Sequence, residues 1–163
     1  MIKTKPETEV IKKRKAVEDA LILHYEALYR LAYRYVKNEA DALDVVQECA
    51  YKAVKEAESL ADTDAVKPWI YRITVNTALS LLRKNQKLTA LEEYQEPAVT
   101  ERYHDADLAR AVSGLNEAQK TILRLRFFED LKLEEIAQVT GEKTATVKSR
   151  FYRTLAELKG KMA

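Results

Sequence analysis

The sequence predicts an all-α protein: two small helical domains joined by a flexible acidic linker, the second domain being a helix-turn-helix. The 163 residues include only three Gly and three Pro, so few positions oppose a helix. Over most of the chain, apolar side chains recur at intervals of three and four residues, the period of a helix with one buried face. That period weakens between residues 85 and 114, which divides the chain into two modules.

The division into modules sets the expected segments. Residues 1–15 carry six basic and two acidic side chains with no helical period, which indicates a loose basic tail. A solvated tail is a simpler interpretation than one that binds phosphate. The expected segments are a tail at 1–15, an N-terminal helical domain at 16–87, a linker at 88–114 and a C-terminal domain at 115–163.

The first helix is expected from Val17 to Lys37 and the second from about Glu39 to Ser59. The outer side of the second helix carries carboxylates at helical spacing, and these repel one another unless a basic partner covers them. A merely solvated acidic face is the alternative. The predicted inner face comprises Val45, Val46, Cys49, Ala53 and Val54, and the outer acidic ridge comprises Asp41, Asp44, Gln47 and Glu48.

A third helix is expected from Val66 to Lys84, with Pro68 in its first turn, where a missing N–H is tolerated. No acidic residue occurs between Asp64 and Glu92. Guanidiniums, an amide and a flat ring without a carboxylate suit unpaired nucleic acid. The alternative is an amphipathic core helix whose Trp packs inward. The exposed stripe is expected to comprise Trp69, Arg72, Asn76, Ser80 and Arg83.

In the second module the pattern predicts a helix-turn-helix. After a possible short helix at 105–112, helices are expected from Asn116 to Phe128 and from Leu131 to Thr140. Gly141 supplies a tight turn and Thr144 can cap the last helix. Residues 143–163 hold six basic side chains and one acidic one, which favours DNA over an ordinary helical hairpin. The outer face of that helix comprises Thr146, Ser149, Arg150 and Arg153, with Lys148 on a flank.

Taken together, these segments resemble one family. An upstream helix suited to unpaired DNA and a downstream helix suited to the major groove occur together in the extracytoplasmic-function subfamily of bacterial RNA polymerase sigma factors. DVVQE, then PWIYRI-V-N, then TVKSR at these distances is the most specific part of the match. The matching stretches are Leu28–Glu48, Lys67–Leu79, Leu115–Ala137 and Thr144–Lys159.

The resemblance implies a role for each set of side chains. The ridge of Asp41, Asp44, Gln47 and Glu48 would bind core RNA polymerase. The stripe on the third helix would open and read the minus-ten element of promoter DNA, with Arg72 and Asn76 holding the strand and Trp69 supporting them. The last helix would read the minus-thirty-five element. There Thr146, Ser149, Arg150 and Arg153 would contact bases, and Thr144 and Lys148 phosphate.

The resemblance also implies an anti-sigma partner, which is often membrane-bound in this family, and no small-molecule substrate. Two departures from the family pattern concern base specificity. The loop Leu60–Ala65 lacks the aromatic-basic-glycine run often found before the third helix, and Ser80 stands where Asp is frequent.

Other function classes find little support. Cys49 is alone, so no internal disulfide or thiolate metal cage is expected, and no cofactor either. His24 and His104 lie far apart in sequence, and no Gly-rich phosphate loop or nucleophile elbow occurs, so catalysis is not expected. Without a signal-peptide core or a spanning segment, the sequence predicts a cytoplasmic protein. A stand-alone helix-turn-helix regulator that binds duplex DNA, or a helical adaptor, are the alternatives.

Overall fold

The computed structural model describes residues 5–92 and 106–162, and within these ranges it contains helices and no strands. The chain divides into two compact units, Met1–Gln95 and Glu96–Ala163. This arrangement confirms the predicted all-α fold. None of the described helices combines the length and the apolar character that a membrane span requires.

The N-terminal unit is built from three helices that pack on one another: α1 (Lys5–Val36), α2 (Glu39–Lys55) and α3 (Val66–Glu92). Short 3-10 turns at Ala57–Ser59 and Thr63–Ala65 join the last two. Asn38 caps α2, since its side-chain oxygen accepts from the backbone N–H of Asp41 at 3.0 Å. The core between the helices includes the buried side chains of Leu28, Leu31, Val45, Ile70 and Tyr71.

The C-terminal unit contains α4 (Ala106–Ser113), α5 (Glu117–Leu123), α6 (Leu133–Thr140) and α7 (Thr144–Met162). A π-helical turn, Arg124–Phe128, continues α5. The side chains of Asn116 and Gln119 form a capping box at the start of α5. Gly141 ends α6 with φ 73°, a left-handed conformation that a side chain opposes. The core includes Ile122, Leu125, Ile136, Val147 and Phe151.

The predicted basic tail is wrong for residues 5–15, which form the first turns of α1. Residues 1–4 lie outside the described part of the chain. Glu, Lys and Arg favour helices, so a polar segment can extend a helix without an apolar period of its own. One side of this extension meets the rest of the unit: Val10 and Lys13 are half-buried, and the Lys13 ammonium donates to the Glu58 carbonyl at 3.4 Å.

The predicted linker is too wide at both ends. The third helix continues past Lys84 to Glu92. The short helix expected at 105–112 is confirmed as α4, but it packs against α7 and so belongs to the C-terminal unit. Residues 93–105 of the predicted linker, His104 among them, lie outside the described ranges.

Smaller differences concern helix ends and faces. Val54, predicted to face inward on α2, is 38% exposed, whereas Val45, Val46, Cys49 and Ala53 are buried as predicted. The second helix ends at Lys55 instead of Ser59. Thr144 is the first residue of α7 and not the cap that precedes it.

Candidate nucleic-acid and protein interfaces

The acidic ridge of α2 lies on the surface of the N-terminal unit. Asp44, Gln47 and Glu48 are exposed, while Asp41, held near the helix start, is half-buried. Glu48 is partly neutralised because one of its carboxylate oxygens lies 3.8 Å from the ammonium of Lys52. The spacings of three and four residues place all four predicted residues along one side of α2.

The ridge has an apolar member that the sequence argument missed. Tyr51 follows Gln47 and Glu48 by four and three residues, so it lies on the same side of α2, and it is 62% exposed. The ammonium of Lys55 sits 5.7 Å from the centre of its ring. An exposed aromatic among charged groups is typical of protein-binding surfaces. The spacing of four residues between Gln47 and Tyr51 could have placed Tyr51 on this ridge from the sequence alone.

The stripe on α3 is exposed as predicted at four of its five positions: Arg72, Asn76, Ser80 and Arg83. Trp69 is half-buried, so the ring packs partly inward and partly lines the surface. The opposite side of α3 supplies the core residues Ile70, Tyr71, Thr74, Val75 and Ala78.

The same stripe extends one turn beyond the predicted end of the helix. Lys87 is exposed and follows Arg83 by four residues, which places its ammonium on the stripe. Lys87 was not among the predicted residues, because the predicted helix ended at Lys84. The surface of α3 is therefore more basic than the five predicted residues suggest.

A buried polar contact fixes α2 against α3 beneath the two surfaces. The Thr74 hydroxyl lies 2.9 Å from the Ile70 carbonyl oxygen and 3.0 Å from the sulfur of Cys49. Burial raises the pKa of the Cys49 thiol, which keeps it neutral and suits a packing role. The ammonium of Lys52 also donates to the Thr77 hydroxyl at 3.4 Å. These contacts join α2, which carries the acidic ridge, directly to α3, which carries the stripe.

In the C-terminal unit, α7 presents Thr146, Ser149 and Arg153 to solvent, as predicted. The Arg153 side chain donates to the Ser149 carbonyl at 3.4 Å. Val147 and Phe151 are buried on the other side of the helix. Thr144, at the helix start, is half-buried. The outer face therefore carries hydroxyls and a guanidinium, groups that can donate to base edges and to phosphates.

Two cations of this face are held by carboxylates that the sequence argument did not identify. Arg150 Nη1 lies 2.7 Å from Glu142 Oε1, and these side chains are only 25% and 30% exposed. Lys148 Nζ lies 3.3 Å from Glu134 Oε1, with both side chains about half exposed. Each pair joins α7 to the helix or turn before it.

The electrostatics of these pairs agree with their geometry. The hydrogen bond from Arg150 lowers the pKa of the Glu142 carboxyl and raises that of the guanidinium. The pKa of Glu134 is also lowered, first by a backbone hydrogen bond at its own residue and then by Lys148. Both carboxylates are ionised at neutral pH. In the ranges that the structure covers, no group of three or more His, Cys, Asp or Glu could hold a metal.

Each of the two units matches a protein-family model. Residues 21–88 match the model of sigma-70 region 2, and residues 105–158 match that of sigma-70 region 4. The chain is 45% identical over 152 residues to the RNA polymerase sigma factor SigV of Bacillus subtilis, covering 88% of this chain and 92% of SigV. It is 31% identical to the ECF RNA polymerase sigma-E factor of Haemophilus influenzae, covering 81% of this chain and 79% of that protein.

Solved structures share the fold. The sigma factor RpoE of Bartonella quintana, in complex with the anti-sigma factor NepR, matches with a TM-score of 0.67 at 23% identity, covering 89% of this chain and 95% of RpoE. Two region models and relatives of this similarity define the class as a transcription-initiation factor of bacterial RNA polymerase. The chain belongs to the extracytoplasmic-function (ECF) sigma factors.

Proposed function

We propose that the two surfaces of the N-terminal unit divide the work of initiation: the acidic ridge of α2 binds core RNA polymerase, and the stripe of α3 opens the minus-ten DNA. The observation that carries this proposal is their separation by charge. Asp44 and Glu48 are exposed on α2, whereas α3 exposes Arg72, Asn76 and Arg83. A ridge of carboxylates repels phosphate and attracts a basic protein surface. The basic stripe attracts phosphate and repels a basic protein surface.

The stripe suits a melted strand better than a duplex. Guanidiniums bind phosphate and stack on bases, and the Asn76 amide can both donate to and accept from the edge of an unpaired base. Arg72 and Asn76 are four residues apart, so both reach the same stretch of strand. Trp69, half-buried and three residues before Arg72 on the same stripe, supports this surface by packing. Ser80 and Arg83 extend the contact along the strand.

We assign reading of the minus-thirty-five element to α7. Its exposed Thr146, Ser149 and Arg153 lie on the side opposite the core, at the N-terminal half of the second helix of a helix-turn-helix. Arg150 joins them as a base-reading group. Thr144 and Lys148 flank that set and are assigned to phosphate, which positions the helix without specifying sequence.

A stand-alone regulator of duplex DNA needs neither the acidic ridge of α2 nor an α3 that has no acidic residue before Glu92, and the family assignment does not favour it. We assign the chain a regulatory role without catalysis, in the cytoplasm where core polymerase works. We also propose an anti-sigma factor as partner, since the sigma factor RpoE, whose fold this chain shares, was solved in complex with the anti-sigma factor NepR.

The docking assignment is tested by Asp44→Arg. Reversing the charge of this exposed carboxylate places like charges together at the interface, which costs several kcal/mol when the groups are desolvated, so co-elution with core polymerase should be lost. Glu18→Arg is the matched control, because Glu18 is also exposed but lies on α1. Helix content measured by circular dichroism should be unchanged in both. Normal co-elution of the Asp44→Arg protein would contradict the assignment.

A further inference from the structure

The contact between Glu142 and Arg150 joins the turn of the helix-turn-helix to the middle of its second helix. Glu142 is fixed at the end of α6, because its backbone N–H donates to the Ala137 carbonyl at 3.0 Å. The preceding Gly141, in its left-handed conformation, directs the chain from α6 toward α7. From this anchored position the carboxylate reaches Arg150, eight residues along the chain, at 2.7 Å.

This contact restricts the orientation of the Arg150 guanidinium and leaves most of its N–H donors available for DNA. A guanidinium has five N–H donors in a rigid plane, and the bond to Glu142 occupies one terminal nitrogen. The remaining donors can still form a bidentate contact with the acceptors of a guanine edge. A free arginine side chain loses rotamer freedom when it binds, whereas one already held in place loses less.

We propose that Glu142 is a positioning residue for promoter reading: its carboxylate orients the Arg150 guanidinium so that it discriminates one base of the upstream promoter element. This inference rests on the proposed role of α7 in reading the minus-thirty-five element. It adds a residue that itself contacts no base. Its negative charge also lies close to the phosphates of any DNA that α7 approaches, so Glu142 weakens binding to all sequences while sharpening the choice among them.

The pair formed by Lys148 and Glu134 provides the contrast. An ammonium is a compact charge on a flexible stem and has no planar fork to orient. Glu134 therefore reduces the positive charge that meets phosphate without defining a base contact. Neutralising Glu134 and neutralising Glu142 remove the same charge from the same unit, and only the second should alter which base is chosen.

The experiment uses the full chain bound to core RNA polymerase and duplex DNA randomised over a promoter-length stretch. Bound duplexes are sequenced for the wild type, Glu142→Gln, Glu134→Gln, Arg150→Ala and the double variant Glu142→Gln/Arg150→Ala. For Glu142→Gln we expect a roughly three- to tenfold loss of preference at one or two adjacent base pairs, since the arginine loses its orientation. Glu134→Gln should bind all sequences somewhat better and keep every preference.

The double variant distinguishes a Glu142 that orients the Arg150 guanidinium from a Glu142 that only stabilises the fold. If Glu142 acts through Arg150, then Glu142→Gln should cause no further loss of preference once Arg150 is Ala. A purely structural brace would lower the unfolding temperature and leave base preferences intact. Unchanged preferences in Glu142→Gln, or an additional loss in the double variant, would overturn the inference. A wild-type holoenzyme that selects no upstream element would overturn the proposed role of α7 and this inference with it.

Discussion

At the scale of single residues, four polar side chains line one exposed side of α3, whereas the Arg150 guanidinium of α7 is held by the Glu142 carboxylate. The spacing of Arg72, Asn76, Ser80 and Arg83 placed them on one side of a helix, and the structure exposes all four. The partner of Arg150 could not be predicted in the same way. Glu142 precedes it by eight residues, across a turn whose path depends on the left-handed conformation of Gly141. Such contacts follow from tertiary geometry and leave no periodic signal.

The stripe on α3 makes a residue-scale prediction about strand opening. Arg72→Ala and Asn76→Ala should each reduce open promoter complexes by about tenfold, because each removes a side chain that stacks on or hydrogen-bonds to unpaired bases. Permanganate oxidation of unpaired thymines measures the opening directly. Binding of the closed duplex by the holoenzyme should change much less.

Lys84→Ala is the control for charge in that measurement. Lys84 is exposed on α3 but lies about 100° around the helix from Arg83, so it leaves the stripe. If Lys84→Ala reduces opening as much as Arg72→Ala, then general positive charge, and not the stripe, accounts for melting. Ser80→Asp would further test whether this departure from the family pattern alters opening.

At the scale of helices, the interiors were predicted well and the ends poorly. The apolar period locates a helix only where one side is buried throughout, which holds for the middle of α1, α2 and α3. At the N-terminus of α1 no residue from 7 to 15 is buried and only Val10 and Lys13 are half-buried, so the segment 5–15 resembled a solvated tail. The same limitation hid the last turns of α3, beyond Lys84.

The turn between α6 and α7 makes an element-scale prediction about stability. Gly141 has φ 73°, a conformation that costs a residue with a Cβ atom about 1–2 kcal/mol, so Gly141→Ala should lower the unfolding free energy by that amount. Thermal unfolding followed by circular dichroism measures the change. The substitution should also weaken the contact between Glu142 and Arg150, because Glu142 directly follows Gly141 in the chain.

Gly160→Ala is the matched control for that substitution. Gly160 lies within α7, and a Cβ atom there would meet nothing within 4 Å. Alanine should therefore raise the unfolding free energy by up to roughly 1 kcal/mol. Destabilisation of similar size at both positions would show that the left-handed conformation is not the cause.

The packing of α1 against α3 makes a prediction about pH. The His24 ring lies 5.9 Å from that of Tyr71, and burial, followed by the charge of Lys67, lowers the pKa of His24. Below its ordinary pKa of about 6.5 the unfolded chain binds a proton that the folded unit resists. Stability of the N-terminal unit is therefore complete above that pKa and falls as the pH drops toward the folded value.

The single Trp of the chain makes this measurable, because Trp69 lies in the N-terminal unit and its fluorescence follows that unit alone. Urea unfolding at about pH 7.5 and about pH 5.5 should give a lower midpoint in acid for the wild type. His24→Gln cannot gain the proton and should show a smaller difference. An equal difference in both proteins would assign the pH dependence to other groups.

At the scale of the whole molecule, two helical modules and the family follow from the sequence alone. The boundary between the modules was less predictable, because α4 is short and its contacts with α7 join residues far apart in sequence. The alternation of charge was the more useful guide. It separated the acidic α2 from the basic stripe of α3 and from the last helix, and each surface accordingly has its own proposed partner.

As an ECF sigma factor, this chain directs core RNA polymerase to particular promoters. Run-off transcription of fragmented DNA from its own genome, with core polymerase alone as the reference, tests this claim most directly. We expect discrete new transcripts when the wild-type chain is added, with start sites that share upstream and minus-ten elements, and none with Asp44→Arg. A chain that binds core polymerase and produces no new transcript, or one that binds promoter duplexes equally well without polymerase, would contradict the claim.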